Sequence, residues 1–204
     1  MGLSLRRMAH DDRLKLRIYF ENRLGLPALY NERIAAVDAS PVLVFVHDDV
    51  WLDDHFLCQH VLAGVNAFDV IGVAGNRRRV PQQPSWAFPT IQFEWDQRVH
   101  LSGVVSHGLN PFGVLSAFGP VPAECELLDG VLLAARRDLL RDHRVGFDER
   151  FDFHFYDMDF CRTARAAGLR LATWPIAITH QSEGGFAGAG WLDNYKAYLR
   201  KWGE

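Results

Sequence analysis

Apolar residues in this chain fall into short continuous runs, each closed by polar residues or glycine. The clearest is Val42-Leu43-Val44-Phe45-Val46, which stops abruptly at His47-Asp48-Asp49. A run of this length, rich in β-branched residues, predicts a strand buried on both faces. Phe68 to Ala74 and Leu127 to Ala135 repeat the pattern, and Leu169 to Ile178 supplies one or two further strands around Pro175. Other stretches carry helical spacing instead. Leu29, Tyr30, Ile34 and Val37 recur after Pro27, and Leu57, Val61 and Val65 share a face after Asp53, which reads as their cap. Phe160, Ala164 and Ala167 line a helix opened by Asp157-Met158-Asp159 and closed by Gly168. Trp191, Tyr195, Tyr198, Leu199 and Trp202 make the last helix amphipathic. Short helices are expected within residues 1–14 and from Arg136 to Leu140. Lys15 to Phe20 alternates and predicts a strand, so this strand, the Pro27 helix and the 42–46 strand form a β-α-β unit with parallel strands. The predicted class is α/β, a Rossmann-like, mostly parallel central sheet flanked by helices.

Two stretches break the pattern. Val80 to Glu126 is rich in proline, glycine and aromatic residues, among them Trp86, Phe88, Phe93, Trp95, Phe112 and Phe118. It predicts short strands and loops forming a lip over the sheet edge, with most of the aromatic rings in the core. Gly184 to Gly190 is a glycine-rich run expected to be mobile.

Composition narrows the function. With 204 residues, 49% hydrophobic and 23% charged, the chain suits one globular domain with a sizeable core. A formal net charge of -3 argues against a dedicated nucleic-acid binder. Three widely spaced cysteines, with no Cys-x-x-Cys pair, point to a reduced, cytoplasmic compartment and to no thiolate zinc site. No apolar run approaches the roughly eighteen residues of a membrane span, which leaves a soluble protein compatible with peripheral membrane contact.

Open α/β sheets bind ligands beyond the carboxyl ends of their strands, where His47, Asp48 and Asp49 would lie. Two carboxylates and an imidazole side by side invite a cation, although a strand-ending Asp also starts turns. Arg77, Arg78 and Arg79 follow the next strand and can grip phosphate oxygens in bidentate fashion, with a solvated basic turn as the alternative. Asp157 and Asp159 are two apart on a helix and cannot point the same way, so one is a cap and the other is free for chemistry. His180 follows a strand end, where a lone histidine is commonly structural.

In order and spacing, these pieces resemble the family 2 glycosyltransferases of the A-type nucleotide-sugar fold (GT-A). The resemblance rests on Tyr30-Asn31-Glu32 with Ile34, VFVHDDV at 44–50, IGVAG at 71–75, LLDGVLLAARRDLL at 127–140, FDERF at 147–151, YDMDFCRTARAAG at 156–168 and THQSEGG at 179–185. It covers most of residues 15–190 and is similar to the branch with His-x-Asp in place of Asp-x-Asp. Asp49 then corresponds to the carboxylate that holds a manganese or magnesium ion on the donor diphosphate. His47 replaces the first Asp and becomes a candidate manganese ligand, and His180 matches a late histidine near the metal. Asp157 matches the catalytic base, preceded here by Tyr156 in place of the usual Glu. Asp129 and Gly130 match the acceptor and sugar pocket, and Asp48, Arg77 and Asp159 join them as donor or acceptor contacts.

The resemblance implies a metal-dependent transfer, with inversion, of a sugar from a nucleotide-sugar donor to a carbohydrate or lipid-linked acceptor, as in polysaccharide biosynthesis. It divides one domain over 1–204 into a donor and metal half (15–80), a loop-rich lip (81–126), an acceptor and catalytic half (127–190) and a C-terminal helix (191–204). It also implies that the first β-α unit is missing, an N-terminal truncation that exposes a sheet edge to pairing in a homo-oligomer. The alternatives are an inactive glycosyltransferase-like binding or assembly module, and a metal-dependent hydrolase using His47, Asp49 and His180.

Overall fold

The computed structural model of the chain describes residues 2–182 and 190–204, so the glycine-rich run, apart from Gly190, lies outside the described residues. Two mixed sheets organise the rest. The first has the order β1 (Val42–Val46), β9 (Leu132–Arg136), β3 (Val70–Gly72), β10 (Leu171–Thr173), β7 (Ala123–Cys125). The second runs β2 (Val50–Leu52), β11 (Ile178–His180), β5 (Leu101–His107), β4 (Ala74–Asn76), β8 (Leu127–Leu128), with β6 (Val114–Gly119) added on β5.

The mostly parallel sheet expected from the sequence is corrected here. Among the described residues, β10 with β3 and β11 with β5 pair in parallel, and every other ladder is antiparallel. Lys15 to Phe20 carries no ladder, so the expected β-α-β unit does not form. The 42–46 strand is consequently an edge strand, joined to β9 alone, with Leu43 and Phe45 buried and Val42, Val44 and Val46 partly exposed. A continuous apolar run had suggested burial on both faces. Its second face instead lines a cavity.

The 68–74 run also divides. β3 joins the first sheet and β4 the second, with Val73 at the crossing. The crossing requires a close approach from β5. A Cβ on Gly103 would stand 2.1 Å from the Val73 carbonyl oxygen, and Gly103 has φ +110°, which favours glycine.

Among the described residues, six helices cover these sheets: α1 (Gly2–Arg7), α2 (Leu26–Ala35), α3 (Leu57–Ala67), α4 (Arg137–Asp142), α5 (Tyr156–Ala166) and α6 (Trp191–Trp202). α2 ends before Val37, which is 96% exposed. α3 starts later than expected because Asp53 is engaged elsewhere: its carboxylate accepts from Arg7, from the Phe112 N–H and from the Thr179 hydroxyl. Asp54 instead receives the Phe56 N–H and contacts His60. Leu57, Val61 and Val65 face the core as the helical spacing predicts. None of the helices is long and apolar enough to cross a membrane, among the described residues.

α6 buries Trp191, Tyr195 and Tyr198. It also supplies the partners of Asp159, which is fully buried on α5: Lys201 Nζ at 2.7 Å and Trp202 Nε1 at 2.9 Å. Lys201 bridges onward to Asp148 at 2.8 Å. Burial raises the Asp159 pKa, and the Lys201 ammonium opposes that shift. Lys201→Met should leave a buried carboxylate with Trp202 as its remaining donor. A loss of about 3 kcal/mol in denaturant-induced unfolding is expected, near the low end for a broken buried pair because Lys201 is partly solvated.

Candidate active site

A cavity of about 2020 Å³ opens between the 13–22 segment, β1 and the carboxyl end of that strand. The chain leaves β1 through His47, Asp48 and Asp49 and enters β2 directly. β2 pairs antiparallel with β11 so that Val50 faces His180, and the Gln181 N–H bonds the Asp49 carbonyl at 3.0 Å. This pairing carries His180 to the end of β1. Its Nε2 lies 3.2 Å from Asp49 Oδ2, and one ligand atom from each of His47, Asp49 and His180 falls within 4.8 Å of the others.

The chemistry of this trio fits a cation. Asp49 Oδ1 is buried without a hydrogen-bond partner, a costly state for a carboxylate oxygen unless something else satisfies it. Burial lowers the His47 pKa, against the opposing pull of the Asp129, Asp49 and Asp48 carboxylates. The imidazole is therefore held neutral, the form that binds metals.

Beside the trio, Asp129 and Gly130 turn the chain between β8 and β9. The Asp129 carboxylate accepts the Val131 N–H at 2.9 Å, and the Val131 carbonyl accepts the His47 N–H at 3.2 Å. Gly130 donates its N–H to Asp157 Oδ2 at 3.0 Å. A side chain at Gly130 is excluded: its Cβ would stand 2.2 Å from Tyr156 Oη. Asp157 sits in the first turn of α5, where its other oxygen takes the Met158 N–H at 2.8 Å. Desolvation raises its pKa from 3.8 to about 7, helped by the Asp129 charge and opposed by these two N–H donors. The side chain still borders the cavity. A carboxyl tuned to the neighbourhood of neutrality and open to a cleft is the usual form of a general base.

The sequence profile described as Glycosyltransferase like family matches residues 18–184, most of the chain. The chain belongs to this glycosyltransferase-like family. The resemblance to family 2 enzymes is thereby borne out. A search of curated proteins gives no match.

In this glycosyltransferase-like chain, His47, Asp48, Asp49, Asp129, Asp157 and His180 all line the one cavity. Asp48 is exposed at its mouth. Trp86, Trp95 and Phe118 pack on one another along its wall, so part of the aromatic lip does face the site. Two of the expected contacts lie elsewhere. Arg77 is placed with Val99, His100 and Glu124, while Arg78 pairs with Asp96 and Arg79 with Glu204. The arginine run thus tethers the long loop and the C-terminus. Asp159 points away from the cavity to α6, as the two-residue offset from Asp157 requires. Neither Asp157 nor Asp159 caps α5 as expected; Phe155, in left-handed conformation at φ 68°, holds the cap position without a side-chain bond.

Tyr156 was not among the expected site residues. It is buried, and its hydroxyl lies 2.8 Å from His47 Nε2 and 3.0 Å from the Gly130 carbonyl oxygen. The signal was present as a departure, a tyrosine standing where the resemblance leads one to expect glutamate.

Proposed function

We propose that the chain transfers a sugar from a nucleotide-sugar donor to a hydroxyl of a carbohydrate or lipid-linked acceptor, with Asp157 as the general base. The observation that supports this most is the sharing of one cavity by the His47, Asp49 and His180 trio and by a carboxyl whose pKa is about 7. His47, Asp49 and His180 are the residues that would hold a divalent cation, which when bound would supply positive charge to offset the negative charge developing on a departing diphosphate. Two imidazoles with one carboxylate suit manganese better than magnesium, which prefers an all-oxygen set.

The rest of the chemistry falls to the chain itself. Ionised Asp157 takes the proton of the acceptor hydroxyl as that oxygen attacks the anomeric carbon. Attack from the side opposite the leaving group inverts the anomeric centre. Gly130 and Met158 hold the two carboxylate oxygens by their N–H groups, which fixes the orientation of the base. The walls of Trp86, Trp95 and Phe118 offer flat apolar faces to a sugar ring or nucleobase.

Calorimetric titration with UDP, GDP and dTDP, each with and without Mn2+, tests the reading. One of the three is expected to bind, and only in the presence of the metal. Failure of all three would favour the inactive binding module over the transferase.

A further inference from the structure

We infer that Tyr156 is a positioning residue that fixes the tautomer of His47 and so turns the lone pair of Nδ1 into a metal ligand. The inference rests on the metal-site reading above. The Tyr156 hydroxyl has one proton, lies near the Tyr30 hydroxyl, and is within hydrogen-bond distance of the Gly130 carbonyl oxygen at 3.0 Å and His47 Nε2 at 2.8 Å. A carbonyl oxygen never donates. Only one assignment therefore makes both contacts hydrogen bonds: Tyr156 donates to Gly130, and His47 donates its Nε2–H to Tyr156. A neutral imidazole protonated on Nε2 carries its lone pair on Nδ1. Metal-bound histidines characteristically spend their second ring nitrogen on such an outer partner, which sets ring orientation and basicity.

The position of Tyr156 makes it a firm partner. It is 2% exposed, and its ring sits against Tyr30 at 6.0 Å and Phe147 at 6.0 Å between ring centres. The adjacent residue, Asp157, accepts the N–H of the same glycine whose carbonyl Tyr156 engages. Consecutive residues of α5 thus grip both polar atoms of Gly130, and through Tyr156 the grip extends to His47. The cation trio and the base are held to one turn by one dipeptide. A glutamate in place of Tyr156 would present two acceptors and no proton to the Gly130 carbonyl, so this arrangement is particular to the tyrosine.

Two measurements test the inference. In nitrogen-15 spectra of the metal-free chain, assigned with His47→Gln, His47 is expected to carry its proton on Nε2; protonation on Nδ1 overturns the inference whatever any variant does. Titration with Mn2+ alone, followed by electron paramagnetic resonance, is expected to show about 10–100-fold weaker binding in Tyr156→Phe than in the unaltered chain. Equal Mn2+ affinity of the two would mean that Tyr156 merely packs, and overturns the inference while leaving the metal site standing. No Mn2+ binding by the unaltered chain overturns both. If Tyr156→Phe does not fold, the tautomer measurement alone decides.

Discussion

Asp157→Asn is expected to lower kcat/KM for sugar transfer by about 10²–10⁴-fold, the usual contribution of a positioned general base. Asparagine keeps the size of the side chain and one acceptor for the Gly130 and Met158 N–H groups, but it cannot take a proton. With Asp157 as the proposed base, the unaltered chain should also show a kcat/KM that rises with pH through about 7, because only an ionised carboxylate can take the acceptor proton and desolvation holds its pKa there. The rising limb should vanish from the residual activity of Asp157→Asn. The sign of the linked stability is opposite. Between about 4 and 7 the folded chain retains a proton that the unfolded chain has released, so the contribution of this group to stability is present at low pH and is lost as pH rises through 7. The site therefore gains its reactive form under conditions in which the fold gives up some stability. A pH-independent rate across 5–9 would remove Asp157 from the role of base.

Asp49→Ala is expected to weaken Mn2+-dependent nucleotide binding by at least about 100-fold. Removing an outer partner of a metal ligand costs about 10–100-fold, and Asp49 is the sole carboxylate in the trio itself. No other group of three His, Cys, Asp or Glu side chains lies close enough to replace it, among the described residues. The fold should tolerate the change, since the substitution removes a buried carboxylate oxygen that has no partner. Asp48→Ala, at the exposed neighbouring position, serves as the comparison and should alter binding far less. Calorimetry with the nucleotide that binds the unaltered chain gives both numbers, and equal affinity in Asp49→Ala would dismiss the metal role.

The local elements were largely legible in the sequence, because burial periodicity is a property of neighbouring residues. The 42–46 and 132–136 strands, the 57–67 and 156–166 helices and the amphipathic C-terminal helix lie near where hydrophobic spacing puts them. Strand sense was not. An apolar run such as VLVFV reads alike whether its partner runs parallel or antiparallel, and the actual partner, β9, lies far along the chain. Lys15 to Phe20 shows the converse failure: alternation is necessary for a half-buried strand, yet without a ladder partner it yields none. At the site, residue types indicated His47, Asp49 and the Asp157–Asp159 pair. The resemblance was needed to choose Asp157 and to bring in His180, whose approach to Asp49 depends on the β2 and β11 pairing. Arg77 lies outside the cavity, and the sequence could not show this, since a run of arginines looks the same whether it faces a phosphate or, as Arg78 and Arg79 do, the carboxylates of Asp96 and Glu204.

The pairing of β2 with β11 has a kinetic meaning. Each strand has three residues, too few to lock their alignment through backbone bonds alone. Thr179 supplies the missing lock by donating its hydroxyl to Asp53 at 2.6 Å, while the Ala177 carbonyl accepts the N–H groups of both Asp53 and Asp54. A slip of one residue would send His180 to the opposite face of the sheet. Strands far apart in sequence must consequently find each other before His47, Asp49 and His180 come together, a non-local closure of the kind that slows folding. The proposed site is thus expected to be among the last features to form, and any metal affinity it has would appear late in refolding.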